Sequence, residues 1–311
     1  MNRRHFLGLG ALAAGSTLIG ATPGFAAKPA MATRLTILHT NDTHSNLDPM
    51  DRGEFMGMGG AEARAAFVRT MRQRHENVIV LDAGDILQGT PFFNLFQGEA
   101  EIAVMNAIGY DASAIGNHEF DAGIDRLAEL VRDHAQFPFL CANYDFSATP
   151  MAGLARESMV IERSGLRVGM VGLGIRLESL VSPSQRGDTQ YSSPLEAAER
   201  VAKHLREEEK CDFIIGLSHI SIGGTSRSTG GEPGDRDVIR AVGEIDLVIG
   251  GHNHLLLPEP ERHFRGREAT MGTVAQAGWG GTHMGVLQFD IFERGKVELA
   301  RATMPSLEAM A

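Results

Sequence analysis

The chain has 311 residues, 43% hydrophobic and 22% charged, enough apolar material for one large core or two small ones and unlike a disordered or fibrous sequence. Twenty-nine basic residues against 39 acidic ones give a formal charge of −10, which argues against a broadly basic nucleic-acid surface. Cys141 and Cys211 are too few for a disulfide scaffold or a four-thiolate zinc site. Each borders an apolar run and reads as a buried, unpaired core residue.

Residues 1–26 stand apart in composition. Asn2-Arg3-Arg4-His5-Phe6-Leu7 is followed by an apolar stretch to Ile19 and then by small residues, with Gly24-Phe25-Ala26 as the cleavage site. This reads as a signal peptide rather than a domain, because the stretch is shorter than the ~20 residues a membrane span needs. No transmembrane span is expected after cleavage. The arginine pair before Phe6-Leu7 resembles the twin-arginine signal of bacteria, which exports folded proteins and suits one that acquires metal before export. The expected partner is that export machinery, and the expected location is the periplasm or the exterior.

From Arg34 onward, short apolar runs alternate with amphipathic stretches, the pattern of an α/β layer protein. The first strands are expected at Leu35 to His39, Val78 to Leu81, Ala112 to Ile115 and Phe137 to Cys141, and later ones at Phe213 to Leu217 and Asp246 to Ile249. Helices are expected at Ala61 to His75, Glu99 to Ile108, Asp125 to His134 and Pro194 to Glu209. The last carries Ser193 as N-cap, Pro194 next and Glu196 three residues after the cap. Hairpins are expected over Met159 to Gly174 around Ser164-Gly165 and over Met284 to Ala300 around Arg294-Gly295, and residues 221–236, rich in Gly and Ser, read as a loop. Gly172-Leu173-Gly174 lacks a third glycine and reads as a turn rather than a dinucleotide loop. His75, His134 and His204 fall on expected helices, His39 within a strand, and His263 and His283 in loops.

Several strands end at their carboxyl side in residues that suit a hard or borderline metal ion. These are Asn41-Asp42-Thr43-His44, Asp82-Ala83-Gly84-Asp85, Gly116-Asn117-His118-Glu119-Phe120-Asp121, Ser218-His219 and Gly250-Gly251-His252-Asn253-His254. In open α/β sheets ligands collect at those ends. One such fragment alone is more often a turn with a surface histidine; five together indicate a metal site. Asp42, His44, Asp85, Asn117, His219, His252 and His254 are seven donors, more than one ion takes from protein while keeping an open position, so two ions are expected. A carboxylate such as Asp85 can bridge ions ~3.5 to 4 Å apart. Nitrogen and oxygen donors without thiolate fit manganese, zinc, iron or cobalt.

In order along the chain, Asp42-x-His44, Gly84-Asp85, Gly116-Asn117-His118-Glu119, His219 and Gly251-His252-Asn253-His254 resemble the five blocks of the calcineurin-like metallophosphoesterases. Ile37 to Asp42, Gly59 to Arg64, Gly116 to Asp121 and Gln276-Ala277-Gly278 narrow the resemblance to the 5′-nucleotidase branch, which includes UDP-sugar hydrolases and thiosulfohydrolases. It runs from about Leu35 to about Leu299 and implies a four-layer α-β-β-α sandwich of two mixed sheets, with a dimetal phosphoesterase domain over residues 33–305.

The resemblance assigns Asp42, His44, Asp85 and His254 to one ion and Asp85, Asn117, His219 and His252 to the other. It makes His118 and Asp121 a catalytic dyad. The residues themselves agree, since His118 cannot easily share an ion with adjacent Asn117, and a nearby carboxylate would fix its tautomer. The implied step is in-line attack of metal-bound hydroxide on phosphorus, with His118 stabilising developing charge or protonating the leaving oxygen.

Members of the branch usually continue into a second domain that clamps the nucleobase. This chain stops at Ala311, so that domain is expected to be absent. Asn117, Trp279 and Arg227 are the candidate substrate contacts. The leading expectation is a 5′-nucleotidase-like phosphomonoesterase acting on a small phosphorylated substrate. A thiosulfohydrolase of the same family and a non-catalytic accessory protein that keeps the fold stay open beside it.

Overall fold

The computed structural model describes residues 32–223, 231–266, 270–293 and 296–308, and the expectations for residues 1–26, Arg227 and the Arg294-Gly295 turn lie outside them. In chain order the strands are β1 (Thr33–Thr40), β2 (Val78–Asp82), β3 (Ala112–Ala114), β4 (Phe139–Leu140), β5 (Tyr144–Asp145), β6 (Ser158–Arg163), β7 (Leu166–Gly174), β8 (Gln190–Tyr191), β9 (Phe213–His219), β10 (Leu247–Ile249), β11 (Glu261–Phe264), β12 (Met271–Ala275), β13 (Gly285–Glu293) and β14 (Lys296–Thr303). The helices are α1 (Ala61–Arg74), α2 (Pro91–Phe96), α3 (Glu99–Ile108), α4 (Ile124–Glu129), α5 (Pro183–Arg186), α6 (Pro194–Glu207) and α7 (Asp235–Ala241). Among the described residues no helix is long and apolar enough to cross a membrane.

One six-stranded sheet runs β14-β13-β1-β2-β3-β4 and the other β11-β12-β10-β9-β7-β6. Within the first, β1 to β4 are parallel while β13 joins β1 antiparallel. Within the second, β7, β9, β10 and β12 are parallel, with antiparallel β6 and β11 at the edges. Both sheets are therefore mixed, and their parallel strands carry the site residues at one end.

The period of two along each strand builds the layers. Leu35 and Ile37, Ile79 and Leu81, and Phe213, Ile215 and Leu217 face a shared core between the sheets, where the Phe213 and Phe289 ring centroids are 4.8 Å apart. Leu38, Val78 and Val80 turn outward to α1, α3 and α4, and Ile214, Val248 and Val274 outward to α6 and α7. The result is the expected four-layer α-β-β-α sandwich.

The helix expected at Asp125 to His134 is α4 followed by a π turn over Leu130–His134. Ser193 caps α6, its Oγ accepting from the Glu196 N–H at 3.4 Å. Both cysteines are buried and free.

Three readings are corrected. Gly172-Leu173-Gly174 is no turn but the end of β7, and its glycines allow close approach: a Cβ on Gly172 would lie 2.2 Å from the Leu140 carbonyl carbon. The loop expected over residues 221–236 ends early, because Asp235 already starts α7. His263 lies in β11, where its Nε2 meets Glu261 Oε2 at 2.9 Å, rather than in a loop. β11 gave little signal because its one apolar residue, Phe264, is exposed at a sheet edge.

Candidate dimetal centre

The strand ends bring the seven expected donors into two adjacent groups. Asp42, His44 and His254 offer ligand atoms all within 4.8 Å of one another, and so do Asp85, His219 and His252. Asn117 joins the second group, its Oδ1 2.9 Å from Nδ1 of His252. The groups interlock, since Asp85 Oδ2 lies 3.0 Å from His219 Nε2 and 3.9 Å from His44 Nε2. Asp42 Oδ1 lies 3.5 Å from His254 Nε2 and 4.0 Å from His219 Nε2. Both carboxylates thus face both groups.

Five of the seven donors sit in the left-handed backbone region, at φ 49° (Asp42), 46° (His44), 55° (Asp85), 77° (His252) and 55° (His254). Asp and His adopt it more readily than most residues, yet each such position is strained by about 1 to 3 kcal/mol. Packed strands and backbone bonds hold the strain. Asp42 N–H donates to Gly84 O at 2.9 Å, His44 N–H to Asp85 O at 3.0 Å, and Gly280 N–H to Asp42 O at 2.7 Å. Gly116 leaves room for the cluster, since a Cβ there would lie 2.3 Å from Asp85 Oδ1.

Three of the four imidazoles are in the neutral state that a metal requires, while His219 and Asp42 hold protons that an ion would displace. Nδ1 of His219 donates to Ala83 O at 2.7 Å, leaving Nε2 to face the acids, and that buried Nε2 has no well-formed hydrogen bond. Nε2 of His44 and Nε2 of His254 face one another at 3.0 Å. Burial pushes the His44 imidazole down, and burial with the charge of nearby histidines pushes His252 and His254 down to about 4, so these three are neutral at pH 7. Burial lowers His219 as well, but the adjacent Asp85 carboxylate outweighs it and raises the group to about 10. Burial raises Asp42 to about 8. The orphaned Nε2 of His219 and three neutral imidazoles around two carboxylates fit two divalent ions with borderline preferences.

The His118 ring stands against His44 of the first group, with centroids 5.1 Å apart, and its Nδ1 lies 2.7 Å from Asp121 Oδ2. Burial lowers its pKa, yet the Asp121 hydrogen bond and the charges of Asp85 and Asp121 outweigh that and raise it to about 9. A cleft of about 640 Å³ opens over His44, His118 and His254, walled by Phe92 and Trp279. Trp279 is half-buried and stacks on His254, with centroids 5.9 Å apart and planes at 15°.

Sequence reasoning missed the supports behind the donors. Asn41 Nδ2 donates to Asp42 Oδ2 at 2.6 Å and to Gly278 O at 2.6 Å. Buried Glu119 accepts from the N–H groups of Asp85 at 3.0 Å, Ile86 at 2.8 Å and Gly116 at 2.5 Å. Asp235 and Gln276 form a second support. The signal for Asn41, Glu119 and Gln276 lay in the motif strings that contain them; Asp235 had none.

Two carboxylates, four imidazoles and an amide at the strand ends of a four-layer sandwich define the class as a dimetal hydrolase fold. The calcineurin-like phosphoesterase family matches residues 35–256, and this chain belongs to that family, whose members use two divalent metal ions. It is 34% identical over 231 residues to a snake venom 5′-nucleotidase from Gloydius brevicauda, covering 72% of this chain and 37% of the relative. It is 30% identical over 305 residues to the trifunctional nucleotide phosphoesterase protein YfkN from Bacillus subtilis, covering 88% of this chain and 19% of the relative. Among solved structures, the 5′-nucleotidase precursor from Thermus thermophilus superposes with a TM-score of 0.79 at 28% identity, covering 88% of this chain and 55% of that one. The chain thus spans well under half the length of these two curated relatives.

Proposed function

We propose that this chain is a metal-dependent phosphomonoesterase acting on nucleoside 5′-phosphates. The observation that carries the reading is the pairing of two interlocked donor groups with a cationic His118 in a cleft lined by His44, His118 and His254. Asp42, His44, Asp85 and His254 would hold one ion, and Asp85, Asn117, His219 and His252 the other. Ions bound there supply charge neutralisation at the phosphoryl oxygens and water activation. His118 is held protonated by Asp121 and keeps Nε2 for the leaving oxygen, to which it gives a proton as the ester bond breaks. Phe92 and Trp279 offer apolar walls to the leaving group. Arg227 is a further candidate contact from the sequence. Names of relatives that act on nucleotides support the substrate class.

Phosphate release from AMP, p-nitrophenyl phosphate and bis-p-nitrophenyl phosphate with added manganese tests the proposal. Turnover of the two monoesters supports it, and a protein that binds two ions yet releases no phosphate refutes it. Residues 1–26 support export in the folded state, which predicts periplasmic accumulation that stops when Arg3 and Arg4 are both changed to Lys.

A further inference from the structure

Gln276 and its buried partner Asp235 take no part in the chemistry above, yet they occupy the space between the strand ends. Asp235 is the first residue of α7 and is wholly buried. Its Oδ1 accepts from Ser218 Oγ at 2.6 Å, and its Oδ2 lies 3.4 Å from Gln276 Nε2. The same Nε2 reaches Gly251 O at 3.2 Å and Asn253 Oδ1 at 3.0 Å, while Gln276 Oε1 accepts from the Leu255 N–H at 3.2 Å. Among the described residues no lysine or arginine forms an ion pair with Asp235. Gly250 completes the fit, since a Cβ there would lie 1.9 Å from Asp235 Oδ2.

A carboxylate taken out of water without a counter-cation is unfavourable, and an apolar side chain would fill the same space more stably. What the carboxylate does is join groups that covalent structure leaves independent. Ser218 precedes His219 at the end of β9. Gly251 and Asn253 flank His252 beyond β10, and Leu255 follows His254. A chain of hydrogen bonds from Ser218 through Asp235 and Gln276 therefore spans the gap between the strand that carries His219 and the turn that carries His252 and His254.

We infer that Asp235 is a positioning residue of the dimetal centre, setting through Ser218 and Gln276 the spacing between His219 and His252 and hence the affinity of the ion they share. This rests on the ligand assignment proposed above. Supports behind metal ligands commonly change affinity 10- to 100-fold when removed. Asp235→Ala breaks both links. Asp235→Asn can keep them, because the Ser218 hydroxyl can turn to accept from Nδ2 while Oδ1 still accepts from Gln276.

The test is stepwise manganese binding to metal-free protein, read by competition with a chromophoric chelator, with thermal unfolding of each metal-free variant alongside. Asp235→Ala is expected to weaken one of the two ions 10- to 100-fold, and Asp235→Asn to stay within threefold of the parent. Gln276→Met, which removes the amide at similar volume, is expected to weaken the same ion and serves if Asp235→Ala does not fold. Lower melting temperature with unchanged affinity for both ions would make Asp235 a purely structural residue and overturn the inference. Equal weakening in Asp235→Asn and Asp235→Ala would overturn it too, since charge rather than spacing would then be responsible. The readout needs no turnover, so a chain that binds two ions but hydrolyses nothing defeats the proposed activity and leaves this inference standing.

Discussion

The backbone N–H of His118 donates to Oδ1 of Asp85 at 2.8 Å. The imidazole proposed to meet the leaving group and the carboxylate proposed to lie between the ions are thereby held in fixed relation. A substitution at one can disturb the other, and metal content separates their roles.

His118→Asn keeps its backbone N–H and so keeps the bond to Asp85. It is expected to lower kcat by roughly 10²- to 10⁴-fold while about two ions per chain remain bound. Asp85→Asn is expected to lose metal as well as activity. Elemental analysis of both proteins decides the matter, and equal metal loss in the two would make His118 a ligand rather than an acid.

The raised pKa of His118 gives activity an alkaline limb. A group held at about 9 is protonated below that pH and loses its proton above it, so the fraction of competent enzyme falls as pH rises through the folded value. Bound ions offset the charge of Asp85 but leave the Asp121 hydrogen bond in place, so the limb is expected between about 6.5 and 9. Asp121→Asn should move it towards the lower value. A pH profile of kcat/KM unchanged by that substitution would remove His118 from the rate-limiting proton transfer.

Chelation is expected to abolish turnover, and manganese, cobalt or zinc to restore it. Without ions His219 and Asp42 are raised to about 10 and about 8, so the metal-free site carries protons at pH 7 that loading must expel. Ion affinity should therefore rise with pH between 6 and 9, with proton release measurable in weakly buffered solution. Binding that is independent of pH over this range would contradict the ligand assignment of His219.

His39 should make the protein acid-sensitive. It is fully buried in β1, neither ring nitrogen has a hydrogen-bond partner, and burial pushes its pKa down to about 3. The unfolded chain binds the proton at about 6.5, so stability is complete above that pH and is lost as pH falls towards 3. Between pH 7 and 5 the unfolding free energy should drop by about 2 kcal/mol more in the parent than in His39→Leu, as measured by urea titration. Parallel losses in the two proteins would assign the acid sensitivity elsewhere.

The candidate donors could be picked out of the sequence because ion binding needs particular residue types, and open sheets put such residues just beyond strand ends. Asp42-x-His44, Gly84-Asp85 and His252-Asn253-His254 each announce themselves locally. The main strands were legible for a related reason: alternation and β-branched runs reflect burial against a sheet. The polar edge strand β11 and the glycine-bearing β7 terminus were not, since their residues were selected by neighbours distant in the chain. Gly172 and Gly174 look like a turn until Leu140 and Tyr144 are seen against them.

The sequence by itself determined which side chains could bind metal, where the chain would form strands, and that an α/β layer fold would gather the strand ends. Only the tertiary structure decided which donors share a group. His254 meets His44 across 210 residues of chain, and no local pattern encodes which strand lies beside which. It also decided the hidden supports, such as Glu119 beneath Asp85 and Asp235 between Ser218 and Gln276. An acidic residue reads as solvent-exposed in any local window, and whether it is buried depends on the layers that close over it.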